Sequence, residues 1–347
     1  MILSYRTRRN IRRTSKFLII FALVATFIWL LWMIWIARFM IYDRDLGAQL
    51  DFGLGAFPEG QLAAPPTQAP KVDIIYKEPQ IDLPNVEEDV KESISGYYID
   101  IEQLSADIPG AKAKLEALAP GTAVMIDVKS PKGYFYYSSE LDEAADSTLV
   151  DIAQMNELID YLGDSDLYLI ARLPAFRDRR YGLNNQPCGL PVKYGDGSLW
   201  MDEGGCFWMN PTNDKILNYL VRITKELQSM GFDEVVYDEF RFPDTDQFAF
   251  DGDQAKAIAD AAATLATACA TEQLCVSFVA QATDFVLPAG NCRVYFQGID
   301  AENAETVAEQ VMTDNPVLHV LFITTSSNAS DTRFEKYCVL RPLESAH

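Results

Sequence analysis

The chain of 347 residues has room for one large domain with extensions, and its formal charge is −21. The first 42 residues hold seven positive charges and no negative one, so the remainder carries 22 basic against 50 acidic residues, a net of −28. An exterior of that sign repels nucleic acid and anionic lipid head groups, and leaves neutral or cationic ligands as the compatible classes.

Residues 17–37 form 21 consecutive positions without a charge, enough to cross ~30 Å of hydrocarbon as a helix. Arg6, Arg8, Arg9, Arg12, Arg13 and Lys16 precede the run, and Trp29, Trp32 and Trp35 crowd its far half. Basic residues stay on the cytoplasmic side and indoles favour the interface. A cleaved signal peptide has an apolar core of about 7–15 residues followed by small residues, whereas here Arg38, Phe39 and Met40 follow a longer run. The expectation is an uncleaved signal anchor in the cell membrane. Residues 1–16 would be its cytoplasmic tail, residues 38–92, rich in proline and acids, an extracytoplasmic stalk, and residues 93–347 the external domain. All six cysteines lie in that domain. An even number in an exported chain is consistent with disulfides, and Cys188 with Cys206 is an attractive pair because one loop-rich insertion contains both.

From residue 93 onward, β-like apolar runs alternate with helical patterns. The spacing predicts strands at 96–101, 123–128, 167–173, 234–238, 274–279, 293–297, 317–324 and 337–340, with helices at 151–162, 213–230, 253–271 and 301–313. Eight strands in about 250 residues match an α/β fold of the (β/α)₈ TIM-like barrel type. Residues 326–336 are polar and short for a helix, so a barrel distorted or incomplete at its carboxyl end is the alternative to a complete one.

In such a barrel, chemistry sits where the strands end. Residues 231–243, GFDEVVYDEFRFP, close a buried-looking strand on Asp238 and Glu239, with Arg241 just beyond. Side chains on a strand alternate between faces, so Asp238 is the better candidate for the mouth and Glu239 points away unless the strand has ended. A surface acid that caps the next helix or pairs with Arg241 is the competing reading. The second strand finishes at Asp127 and Lys129, two apart and so on one face, and the third brings Arg172. A carboxylate beside Arg172 would stay ionised, as a nucleophile or charge stabiliser must. A structural ion pair at the rim is the equal alternative. Aromatic groups follow these strands, with Tyr134, Phe135, Tyr136 and Tyr137 in one loop and Trp200, Phe207 and Trp208 in another. Flat apolar faces beside carboxylates suit a sugar ring, which exposes C–H patches. For Phe135 and Phe207 packing is the preferred role. Only His319 and His347 are present, so histidine-based metal sites and triads are nearly excluded. Phosphate-cradling loops, dinucleotide fingerprints and G-x-S-x-G elbows are absent from the sequence. No cofactor or metal is expected.

Four blocks carry a resemblance: SGYYID (95–100), AVMIDVKSPKGYFYY (123–137), LYLIARLPAFRD (167–178) with SLWMDEGGCFWMNP (198–211), and FDEVVYDEFRFP (232–243). In order and spacing they are similar to the Putative glycosyl hydrolase domain family, barrels distantly like α-amylase-type hydrolases. The resemblance covers residues 95–245. It implies a TIM-like barrel and a carbohydrate substrate, with Asp238 matching the family's acid at the end of strand four, and Asp127, Lys129, Arg172 and Arg241 on matching positions. Glycoside hydrolysis ordinarily needs a second carboxyl group. No glutamate ends the fifth strand, so Asp127, Asp284 and Glu239 are the candidates. Tyr134, Trp200 and Trp208, with Lys129, Glu239 and Arg241, are the expected substrate-binding groups. Two functions follow: a membrane-anchored glycoside hydrolase acting on a polysaccharide, or an inactive barrel that binds envelope glycan or a protein partner.

Overall fold

The computed structural model describes residues 93–195 and 197–343, together with the backbone of 40–43 and 47–50. Met40–Asp43 pairs antiparallel with Gly47–Leu50, within the segment read above as stalk. The expected signal anchor at 17–37 and most of the stalk lie outside the described residues. Among the described residues no helix is long and apolar enough to cross a membrane.

Residues 93–343 contain eight parallel strands: β1 (Ser95–Ile99), β2 (Ala123–Asp127), β3 (Tyr168–Pro174), β4 (Glu234–Asp238), β5 (Cys275–Val279), β6 (Val294–Gln297), β7 (Val320–Ile323) and β8 (Cys338–Pro342). They close into a barrel in sequence order, β8 returning to β1. The helices are α1 (Ile101–Ala106), α2 (Ile108–Leu115), α3 (Ile152–Gly163), α4 (Arg179–Asn184), α5 (Asp214–Ser229), α6 (Gln254–Cys269) and α7 (Ala304–Gln310). Several begin where an acid or amide side chain accepts from the first turn: Asp100, Asp151, Asn213 and Asp253 do so for α1, α3, α5 and α6, which satisfies donors that the helix itself leaves open.

The strands are buried on both faces, which is why they read as nearly unbroken apolar runs. Alternation divides the two faces. Met125, Ile170, Val236, Tyr295, Leu321 and Leu340 pack together in the barrel interior. Val124, Ile126, Leu169, Leu173, Val235 and Tyr237 meet the surrounding helices. Gly96 lies so near β2 that a Cβ there would meet the Ala123 carbonyl oxygen at 1.8 Å.

The barrel is closed and eight-stranded, as the strand pattern predicts, and the incomplete alternative is corrected. The polar stretch before β8 forms only a 3₁₀ segment, Thr332–Lys336, yet Phe334 is buried and packs with Phe296, Phe322, Tyr337 and Val339. One buried aromatic on a short turn covers the outer face there in place of a full helix. The strand expected at 317–324 begins as a helical turn, Pro316–His319, and becomes strand at Val320. The Cys188–Cys206 bridge is also corrected, both residues being buried free thiols. Their insertion is tied instead by main-chain bonds, including Leu190 N–H to Trp208 O at 2.8 Å and Trp200 N–H to Leu190 O at 2.9 Å.

Candidate active site

The interior alternation that buries Met125, Ile170 and Val236 delivers Asp127, Arg172 and Asp238 two residues later, at the carboxyl ends of β2, β3 and β4. Asp127 and Arg172 are direct register partners, and Asp238 lies opposite Pro174. Arg172 is the hub. It donates through Nη2 to Asp238 Oδ2 at 2.7 Å and to Gln297 Oε1 at 3.0 Å, through Nη1 to the Tyr98 hydroxyl, and its Nη1 stands 4.0 Å from Asp127 Oδ1. The two carboxylates therefore flank one guanidinium. Asp127 also accepts from the Tyr98 hydroxyl at 3.0 Å and 3.1 Å, and from the Ile101 N–H at 3.2 Å. Side-chain exposure is 12% for Arg172, 17% for Asp127 and 29% for Asp238, so Asp238 is the more open of the two acids.

Burial pushes the Asp127 carboxyl above the usual carboxylate range. Arg172, the Tyr98 hydroxyl and the Ile101 N–H pull it down without cancelling that rise, and the neighbouring Asp238 adds to it. Tyr98 is raised by burial and by Asp127, and stays a neutral donor. Burial disfavours the Arg172 charge, but Asp238, Tyr98 and Asp127 outweigh it and hold the guanidinium protonated.

Glu239 answers the question that strand alternation left open. The strand ends at Asp238, and Glu239 turns into the left-handed region at φ 47°, a conformation that ordinary side chains adopt at a cost. The turn aims the Glu239 N–H at Asp238 Oδ1, 2.7 Å away. It also sends the Glu239 carboxylate along the rim, 3.3 Å from Arg177 Nη1 and 2.9 Å from Arg241 Nη2. Arg177 in turn pairs with Asp202 at 2.6 Å, and Asp202 accepts from the Trp208 indole at 3.0 Å. Arg241 lies over the Trp208 ring at 4.8 Å.

Three expected site residues are placed elsewhere. Lys129 is buried, paired with Asp178 and close to the rings of Phe135 and Tyr219. Because β2 ends at Asp127, the alternation that put Lys129 on the same face no longer applies. Trp208 is 3% exposed, with its face under Arg241, so it supports the rim and does not present a stacking surface. Asp284 is exposed in the loop after β5 and shares no hydrogen bond or ion pair with the Asp127–Arg172–Asp238 group. Tyr134 is exposed, whereas Phe135 and Tyr137 are buried and meet edge-to-face at 5.6 Å. Trp200 is half-buried against Phe248. Sequence reasoning missed Tyr98, Gln297, Arg177 and Asp202. Gln297 ends β6 and could have been found by the strand-end rule. Tyr98 could not be told from Tyr97 without the register. Among the described residues, no group of three or more His, Cys, Asp or Glu side chains could hold a metal ion.

A family model described as Putative glycosyl hydrolase domain matches residues 114–293, a range that contains Asp127, Arg172, Asp238 and Glu239 but not Tyr98 or Gln297. Similar solved structures include a hypothetical protein from Ruminiclostridium thermocellum, 21% identical, covering 52% of this chain and 96% of that one at a TM-score of 0.44. The PgaB (BpsB) glycoside hydrolase domain from Bordetella bronchiseptica is 11% identical, with 67% and 84% covered and a TM-score of 0.48. Ega3 from Aspergillus fumigatus, solved in complex with galactosamine, is 12% identical, with 73% and 92% covered and a TM-score of 0.43. No curated protein matches the sequence.

Proposed function

The chain belongs to the Putative glycosyl hydrolase domain family, and on that footing we propose that its barrel hydrolyses glycosidic bonds of a polysaccharide outside the cell, anchored to the membrane by residues 17–37. The observation behind this reading is the pair of carboxylates at the mouth, Asp127 and Asp238, bridged by Arg172 and unequal in their surroundings. Hydrolysis needs an acid that keeps its proton and a second carboxylate that meets the developing positive charge. Asp127, raised by burial, would give its proton to the glycosidic oxygen as that bond breaks. Asp238, more exposed and ligated by Arg172 and the Glu239 N–H, would face the anomeric carbon as nucleophile or charge stabiliser. Arg172 orients both acids. The anchor is supported by the charge-free run and the basic residues before it, and the external location by the acidic remainder.

A second reading, glycan or partner binding without turnover, draws support from one feature. Both oxygens of Asp127 already accept from protein groups, and Arg172 fills the space between the acids. The test is a screen of the full chain and its Asp238→Asn variant against cell-wall and plant polysaccharides, with binding and release of reducing ends scored separately. The hydrolase reading expects release by the parent and binding alone by the variant. Release that survives Asp238→Asn unchanged removes that residue from the mechanism. Binding without release by the parent supports the second reading.

A further inference from the structure

Beyond the acid pair, the loops after β3 and β4 fold together around a cleft of about 590 Å³, within the ~300–1,000 Å³ range of small-ligand sites. Pro191, Phe248 and Phe250 supply its apolar lining, while Lys193, Asp246 and Asp251 supply its charges. Phe242 lies beneath, stacked on Phe248 at 5.8 Å and meeting Phe250 at 4.7 Å. Trp208 belongs to the same aromatic cluster. Arg241 covers Trp208 and pairs with Glu239 next to Asp238, so the aromatic cluster that backs the cleft also supports the rim of the mouth.

The charges of the lining do not balance. Lys193 faces Asp246 at 3.6 Å, whereas Asp251 is exposed and has no hydrogen bond or ion pair among the described residues. The surrounding protein is itself strongly acidic. Apolar faces below a lone carboxylate fit a ring that has a C–H face and an ammonium group. Phenyl rings attract such a cation further through their negative faces.

We propose that this cleft is a second sugar site, taking an amino-bearing hexose unit of the same polymer. The ring would rest on Phe250, which is partly exposed and backed by the buried Phe242 and Phe248, and the ammonium would face Asp251. This inference rests on the carbohydrate reading of the barrel.

The test uses the full chain with Asp238→Asn, purified in mild detergent, so that binding is measured without turnover. Glucosamine tetramer and N-acetylglucosamine tetramer are titrated by calorimetry. The glucosamine tetramer should bind the more tightly, and less so as salt is raised. Asp251→Asn, an exposed substitution, should weaken the glucosamine tetramer about threefold and abolish the preference. Phe250→Ala should weaken both probes by about tenfold. Equal affinity for the two probes, no binding of either, or an Asp251→Asn variant that keeps the preference overturns the inference. Failure of this site and failure of the catalytic reading are separable. Cleavage with no cleft binding removes only the cleft, whereas cleft binding with no release of reducing ends by the Asp238-containing chain removes only the catalysis.

Discussion

Replacing Arg172 with methionine removes the one cation among the described residues that pairs with both Asp127 and Asp238, while keeping most of the side-chain volume. At the 4.0 Å that separates Arg172 from Asp127, the gross attraction is about 4 kcal/mol at the effective dielectric suited to protein sites. Desolvation of the guanidinium offsets part of this, but deleting one partner of a buried pair strands the other and typically costs about 3–5 kcal/mol. Asp238 retains 29% exposure, and water screens it, so the expected loss is about 2–3 kcal/mol near neutral pH. The loss should shrink on acidification. Arg172 lowers the Asp127 carboxyl, so its removal lifts that group further, and a protonated Asp127 no longer needs a counter-charge. Arg172→Lys keeps a charge but loses the planar fork, and should cost about 1 kcal/mol. Denaturant unfolding of the parent and both variants at neutral and mildly acidic pH measures the differences. A loss for Arg172→Met below about 1 kcal/mol that is also independent of pH would falsify the assignment of Arg172 as the bridging counter-charge.

The raised Asp127 carboxyl also sets the pH dependence. A folded-state value above the unfolded one means that this group's contribution to stability is present below the unfolded value and is lost as pH rises through the folded value. Asp127→Asn should flatten that decline in unfolding titrations and, with a cleavable glycan in hand, lower turnover by about 10²–10⁴ and remove the alkaline limb of the rate profile. Lys129→Met should destabilise the fold by about 3–5 kcal/mol, because it strands Asp178, and leave glycan affinity of the folded fraction unchanged. A specific loss of affinity with normal stability would return Lys129 to the binding surface. Gly96→Ala should cost about 3 kcal/mol or more, since its methyl group would overlap the Ala123 carbonyl. A melting temperature equal to the parent's would show that β1 and β2 separate more easily than their close approach suggests.

Much of the architecture could be read from local pattern, because a strand buried on both faces must be a short apolar run, and a helix against it must alternate at its own period. The three long helices α3, α5 and α6 and all eight strands were visible in this way, as were the acids that end β2 and β4 and the arginine of β3, whereas the helix expected at 301–313 is a 3₁₀ turn followed by the seven residues of α7. The chemistry of these positions was not visible. Whether Asp127 and Lys129 share a face depends on the residue at which β2 stops, and that residue is decided by pairing with β3. The direction of Glu239 depends on a left-handed turn whose carboxylate is held by Arg177 and Arg241, and Arg177 comes from the loop after another strand. Tyr98 and Gln297 join the site from the first and sixth strands, so no local window contains them together with Arg172.

By itself, then, the amino-acid order determined the strand and helix periodicities, the charge asymmetry and the acids and arginine available at strand ends. Each of these is a property of neighbouring residues. Tertiary structure alone decided that the barrel closes, with a single buried phenylalanine standing in for the final helix. It also decided that Lys129 and Trp208 are internal supports and that one guanidinium joins two distant carboxylates. Those outcomes depend on which surfaces meet across the fold, and burial and electrostatic pairing are properties of that meeting.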